Sequence, residues 1–359
     1  MPKIGLGLPW WTIAMPVLAW IALGSLVMFP GVFATIFSIM GLFGGVLAAV
    51  YHAEIIAHRV GEPLGTLVLA IAVTIIEVAL IVALMFSADA PVSALPRDTV
   101  FASVMIILNG LIGLCLLMGG SRFGEQYFGS YGVLAALVTL VAIVVLTLIL
   151  PNYTTSQYGP VYNEQQLIFV ALVSLILYGI FIFVQTVRHR NYFIYQSDEK
   201  TEQHSKPTNQ AALLSLGLLL VCLGAVVLLG SNLSPTIESL INAWGAPKAL
   251  VGVIIAMVVL LPESIAALQA ARANRLQTSL NLALGSALAT IGLTIPTVAI
   301  ISIANGWTLM LGIDAKSTVL LILTLFIVSL SLGTGRTTIM QGVVHLVIFA
   351  VYLFMTIVP

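Results

Sequence analysis

The chain has 359 residues, 60% hydrophobic and only 7% charged, with thirteen basic and thirteen acidic side chains and no net charge. Soluble domains carry about 25% charged residues, so this composition excludes a water-facing surface and requires a lipid bilayer as partner. A balanced charge leaves no basic footprint for nucleic acid.

Runs apolar enough to cross hydrocarbon, about 20 residues each, follow one another at 10–29, 31–56, 64–87, 99–119, 130–150, 167–187, 211–230, 248–271, 277–304, 316–332 and 338–358. The segment ahead of the first run is short and that run is too long for a leader's apolar core, so no signal peptide is expected. Cys115 and Cys222 lie inside apolar runs and are expected as buried thiols rather than a disulfide. One connection is long and polar, "RHRNYFIYQSDEKTEQHSKPTNQ" from Arg188 to Gln210. It separates a first repeat (31–187, after an N-terminal span at 1–30) from a second (211–359), with the loop at 188–210. Each repeat holds five spans, an odd number, so the second enters the membrane with opposite polarity. The fold class predicted is all-α integral membrane: eleven transmembrane helices, one N-terminal helix plus two inverted five-helix repeats.

Orientation follows from lysine and arginine. One side of the membrane receives Lys3, Arg59, Arg122, Arg188, Arg190, Lys200, Lys206, Arg272, Arg275 and Arg336; the other receives Arg97, Lys248 and Lys316. That bias predicts a cytoplasmic N-terminus and central loop and an outer C-terminus.

Most acids fall at span ends, where Asp89, Asp98, Glu125, Glu164, Asp198, Glu199, Glu202, Glu238 and Asp314 read as solvated. Two lie deep: Glu77 in "AIAVTIIEVALIVAL" and Glu263 in "AMVVLLPESIAAL". Each is in the second span of its repeat, twelve residues after Gly65 and eleven after Gly252. Charge at such depth costs about 2.5–3.5 kcal/mol even on lenient insertion scales. In oppositely directed repeats the two helices can cross with both carboxylates near mid-membrane. Ionised, the pair offers hard oxygen ligands to a cation; crowded in a low dielectric, it holds protons. A site that takes one or the other is the core of a cation/proton exchanger.

Further oxygens accompany the acids. Pro262 deprives the Val258 carbonyl of its intrahelical partner, and broken membrane helices aim such carbonyls at cations. The span after Glu77 carries Ser103, Asn109 and Gly110; the span after Glu263 carries Gly285, Ser286, Thr290 and Thr294. Neutral oxygens one helix away would complete a cation shell, and small residues let helices approach closely. At the cytoplasmic end of the second and third spans, Glu54, Glu62, Arg59 and His58 form a cluster suited to gating entry or accepting protons; the bland alternative is a solvated helix end. His345 in the last span reads as a hydrogen-bonded packing residue.

These residues carry a resemblance. "PESIAALQAARANRLQTSLNLALGSALATI" resembles the second repeat of calcium/proton exchangers of the calcium/cation antiporter superfamily: Glu263 falls on the glutamate of a Gly-Asn-Ala-Ala-Glu motif, Asn274-Arg275 on its turn, Gly285-Ser286 on its Gly-Ser. "EIIAHRVGEPLGTLVLAIAVTIIE" resembles the first repeat, with Glu54, Arg59, Gly61, Glu62 and Glu77 in the matching places and Ser103 as partner of its Gly-Ser. The resemblance spans both halves and is nearest to bacterial Ca²⁺(Na⁺, K⁺)/H⁺ antiporters. The family's Gly-Asn before each glutamate is Val73-Thr74 and Val259-Leu260 here, so an amide is missing from both halves and Thr74 alone restores an oxygen. That departure widens the expected cargo from Ca²⁺ to Na⁺ or K⁺.

The expectation is a secondary active antiporter working by alternating access. Glu77 and Glu263 alternately bind cation and proton; Thr74, Ser103, Ser286 and the Val258 carbonyl add ligands. The partners are inorganic cations and protons, with no permanently bound cofactor. The alternatives are a passive cation channel and a cation transporter without proton coupling. A membrane enzyme is disfavoured, because no metal motif or nucleophile–His–acid set stands at membrane depth.

Overall fold

The computed structural model describes residues 8–61, 64–87, 92–193, 207–243, 247 and 249–358. Helices dominate, since in hydrocarbon every backbone N–H and C=O must be satisfied within its own segment. In chain order they are α1 (Trp10–Met28), α2 (Val32–Val60), α3 (Leu64–Ser87), α4 (Leu95–Met105), α5 (Ile112–Phe123), α6 (Ser130–Val144), α7 (Glu164–Phe183), α8 (Asn209–Ala243), α9 (Ala249–Arg272), α10 (Leu276–Ala304), α11 (Ala315–Gly333) and α12 (Ile339–Ile357). A π-helical segment, Ile106–Leu111, joins α4 and α5 into one span. Among the described residues ten spans are long and apolar enough to cross a membrane, and α3 adds a shorter apolar stretch, Ile71–Phe86. Ten of the eleven spans expected are thus present at full length, and α3 stands in the place of the eleventh. Two-residue strands β1 (Val92–Ser93), β2 (Gln126–Tyr127), β3 (Thr308–Leu309) and β4 (Arg336–Thr337) lie in the connections. Both cysteines are buried and free.

The chain forms two compact units, and each takes segments from both sides of the central loop. The first contains α1, α2, α3 and α8. Its helices close on small residues: a methyl at Gly41 would meet the Ala22 Cβ at 2.9 Å, and one at Gly45 the Val226 Cγ2 at 3.1 Å. Pro16 has no N–H to give the Thr12 carbonyl. His52 Nε2 takes that carbonyl at 3.0 Å, while its Nδ1 meets Ser215 Oγ at 3.2 Å. One buried imidazole thus ties α1, α2 and α8.

The second unit contains the remaining helices, and its connections pair in a pattern that repeats. β1, between the second and third spans of the first repeat, pairs with β3, between the third and fourth of the second. The reciprocal connections meet where Gln126 Nε2 donates to Asn274 Oδ1 at 2.8 Å. Likewise β2 pairs with β4, and its counterpart is the bridge between Val161 and Met310. An inverted repeat dictates this exchange, because the halves present the same loops to one another at opposite ends.

Asn274 has a φ of 58° and makes the α9–α10 turn. Asparagine tolerates this left-handed conformation and a β-branched residue does not. Asn274→Val is therefore expected to cost about 1–3 kcal/mol and to lower the melting temperature in detergent, whereas Asn274→Gly recovers the backbone part of that loss. Equal melting of both variants with wild type would contradict the assigned turn.

Candidate functional site

In the first unit, α3 packs against α2 and α8. Ile71, Ile75 and Phe86 are exposed, and Thr74, Glu77, Ile81 and Leu84 lie buried on another face. Glu77 is 1% exposed and Thr74, one turn earlier, 4%. Gly230 of α8 gives Leu80 its place, since a methyl there would stand 2.6 Å from Leu80 Cδ2. At the other end of α2, His58 is exposed, Arg59 and Glu54 are half-buried, and Arg59 Nε donates to Asn209 Oδ1 at 2.7 Å. Glu62 lies outside the described residues.

In the second unit, α9 runs unbroken from Ala249 to Arg272 with Pro262 inside it. The helix break anticipated at Pro262 is not formed: the proline still removes the amide that would bond the Val258 carbonyl, but the flanking turns continue. Val258 is buried and Glu263 half-buried. Glu263 stands eleven residues before Asn274 and Ser286 twelve after it. At 1.5 Å per residue both lie ~16–18 Å from the turn, about half the hydrocarbon thickness. The α9–α10 hairpin thus brings Glu263 and Ser286 to one depth. A methyl at Gly285 would meet nothing within 4 Å, so the space beside that glycine is open.

Gly252 seats α9 against α4. A methyl there would fall 2.9 Å from the Asp98 carbonyl carbon and the Thr99 nitrogen. On α4, Thr99 and Ser103 are one turn apart and wholly buried, and neither hydroxyl has a hydrogen-bond partner. Buried hydroxyls are normally bonded, so the pair is a ready source of neutral oxygen. Ser103 was anticipated from the sequence. Thr99 was missed, although its four-residue spacing from Ser103 was the available signal.

Two expectations change. Asn109, expected in a cation shell, turns to α11 and α12, with its Nδ2 donating to Thr324 Oγ1 at 2.9 Å and its Oδ1 facing His345 Nδ1 at 3.3 Å. Asp98, expected solvated, has a side chain only 18% exposed, held by Arg97 Nε at 2.8 Å. The head of α4 packs beneath Gly252, and that contact removes Asp98 from water. Arg97 also donates to the Gly312 carbonyl at 3.0 Å. A cavity of about 220 Å³ opens there, lined by Arg97, Asp98, Phe101, Asp314, Lys316 and Tyr352 among others. Burial raises the Asp314 pKa, but bonds from Ser317 and the charges of Lys316 and Arg97 outweigh it and hold the carboxyl below its usual value. Ala249 also lines this cavity, and Glu263 is fourteen residues further along α9, ~21 Å away.

The chain is similar to known proteins over nearly its whole length. The family model described as sodium/calcium exchanger protein matches residues 30–187 and 214–358. A protein of Sinorhizobium fredii described as putative ionic transporter y4hA is 51% identical over 318 residues, 89% of this chain and 87% of that protein. The sodium-potassium/proton antiporter ChaA of Escherichia coli is 36% identical over 350 residues, 95% of this chain and 94% of its own. In fold, the solved structure of native YfkE matches with a TM-score of 0.72 at 18% identity, covering 97% of this chain and 99% of that one. The H⁺/Ca²⁺ exchanger CAX matches with 0.71 at 17% identity, covering 96% and 87%.

Proposed function

Since this chain belongs to the sodium/calcium exchanger protein family, we propose that it is a cation/proton antiporter in which Glu77 and Glu263 are the carboxylates for which cation and proton compete. The observation that carries this reading is an acid in the middle of an apolar span, occurring once in each repeat and with a hydroxyl one turn or one helix away. A carboxylate at that depth is stabilised either by a bound cation or by a proton. Occupancy by one excludes the other, and that exclusion couples the two fluxes.

The chain's own residues divide the work as follows. Glu77 and Glu263 supply charge. Thr74, Ser103, Ser286 and the Val258 carbonyl supply neutral oxygens that replace part of the ion's hydration shell. Glu54, Glu62, Arg59 and His58 serve the cytoplasmic entrance. The N-terminus is cytoplasmic, the C-terminus lies outside an inner membrane, and access to the acids alternates between the two sides. The cargo includes Na⁺ and K⁺ as well as Ca²⁺. Two features support that choice: the amide that the family carries before each glutamate is missing here, which removes one oxygen per repeat from a site for an oxygen-demanding ion such as Ca²⁺, and the sodium-potassium/proton activity in the name of the 36% identical relative.

The test uses everted vesicles holding an interior-acid pH gradient, to which Na⁺, K⁺ and Ca²⁺ are added in turn. The expected result is collapse of the gradient by at least one of them. Cation uptake that moves no protons would identify a channel or an uncoupled transporter instead and overturn the proposal.

A further inference from the structure

A buried polar network in the second unit joins the π segment Ile106–Leu111, α11 and α12. His345, Asn109 and Thr324 are each fully buried, and Ser331 is 7% exposed. Asn109 Nδ2 donates to Thr324 Oγ1 at 2.9 Å, and the Thr324 hydroxyl donates onward to the Leu320 carbonyl at 2.8 Å. With the amide nitrogen so committed, Asn109 Oδ1 is an acceptor, and the imidazole nitrogen facing it at 3.3 Å carries the hydrogen. His345 Nε2 is then an acceptor, and the Ser331 hydroxyl at 3.2 Å donates to it. The bonds to nitrogen and oxygen run in one direction through a neutral, Nδ1-protonated histidine, and the Met105 sulfur lies beside them, 3.9 Å from Asn109 Nδ2 and 3.6 Å from Thr324 Oγ1. Among the described residues only Asn109 from the π segment, Ser331 from α11 and the Leu108 backbone stand in hydrogen-bonding position to the ring, with no charged side chain.

The place where this chain of bonds attaches matters. Asn109 lies within the π-helical segment Ile106–Leu111. π turns are less favourable than α turns and occur as single bulges, often at functional sites. Returning the segment to α-helical register would shift one residue and turn α4 against α5 by about 100°. α4 carries Thr99 and Ser103, whose hydroxyls are buried without partners. Close packing holds α12 against this segment and the first turn of α5: a methyl at Gly110 would lie 3.3 Å from the Phe349 ring, and one at Gly113 3.0 Å from His345 Cβ.

We propose that His345 is a positioning residue for ion exchange: through Asn109 it holds the π segment in register and so sets the aim of Ser103. The proposal rests on the reading of Ser103 as a cation ligand. An amide cannot pass a proton along a wire, so Asn109 ends any relay from His345, and the network's role is geometric.

The test measures exchange against cation concentration for purified, reconstituted protein. His345→Leu and Ser103→Ala are each expected to raise the apparent KM for the driving cation at least about 5-fold with little change in maximal rate. The double variant should be no worse than the poorer single, because both remove the same ligand. His345→Gln keeps one donor and one acceptor, and is expected to restore the KM without moving the pH profile. Should His345→Leu fail to insert, Thr324→Val, which is isosteric and removes the acceptor of Asn109, is expected to give the same KM rise. Additive effects of His345→Leu and Ser103→Ala, a wild-type KM in His345→Leu or Thr324→Val, or a shifted pH profile in His345→Gln would each overturn the proposal. Wild-type exchange with any of these outcomes removes this inference alone, whereas a wild type that moves no protons removes the functional reading beneath it.

Discussion

Glu263→Gln is expected to leave the protein folded in the membrane and to lower cation-driven proton movement by at least about 100-fold, and Glu77→Gln to do the same. Glutamine has the shape of a protonated glutamate and its hydrogen-bonding capacity. If either acid served only as a protonated packing group, the amide would replace it and exchange would continue. An exchanger has no such tolerance, because the amide can neither release a proton nor offer a negative charge to a cation. A 100-fold loss corresponds to about 2.7 kcal/mol at about 1.36 kcal/mol per decade, comparable to the cost of placing one charge at the bilayer centre. Glu263 is half-buried and Glu77 is 1% exposed, so any leakage through a mutated site should appear first at position 263. The measurement is gradient collapse in everted vesicles, normalised to the amount of inserted protein. Unchanged exchange in both variants would sink the assignment.

The second large effect is structural and reaches the same helices. Gly252→Val is expected to destabilise the second unit by about 1–3 kcal/mol or more, the cost of overpacking a well-packed contact. The obstacle is main chain: a Cβ at position 252 falls 2.9 Å from two backbone atoms of the Asp98–Thr99 peptide. No rotamer change relieves that clash, so α4 must move and carry Thr99 and Ser103 with it. A lowered melting temperature in detergent and a weakened cation response should therefore appear together. Gly179→Ala provides the control. A methyl there meets nothing within 4 Å, and replacing a mid-helix glycine adds up to about 1 kcal/mol of stability. A Gly252→Val protein that melts with wild type would show that α4 and α9 do not approach as described.

Much of this architecture was legible along the chain. Eleven spans, their alternating direction and the two deep acids are local properties: a run of apolar residues has a length, and a carboxylate inside it has a cost, whatever lies opposite. The loop pairings then follow from an odd number of spans per repeat. Thr74 and Ser286 were expected as ligands because Thr74 stands where the resembled family has an amide and Ser286 falls in its Gly-Ser.

Other features depend on which surface faces which, and no local pattern encodes them. Asn109 looked like a ligand because it sits deep and near Ser103 in sequence. A one-residue π offset and the approach of α12 at Gly110 and Gly113 turn it to His345 instead. Asp98 looked solvated because it sits at a span end, and only the seat of Gly252 on its peptide takes it out of water. Thr99 was one threonine among many until packing left its hydroxyl buried beside that of Ser103. By itself the sequence determined the class of protein, the number of crossings and the depth of the charges, since hydrophobic length and charge cost are written residue by residue. The tertiary structure alone decided which polar groups are spent on holding helices together and which buried hydroxyls, such as those of Thr99 and Ser103, stay without a partner, because that choice is made by neighbours far away in the chain.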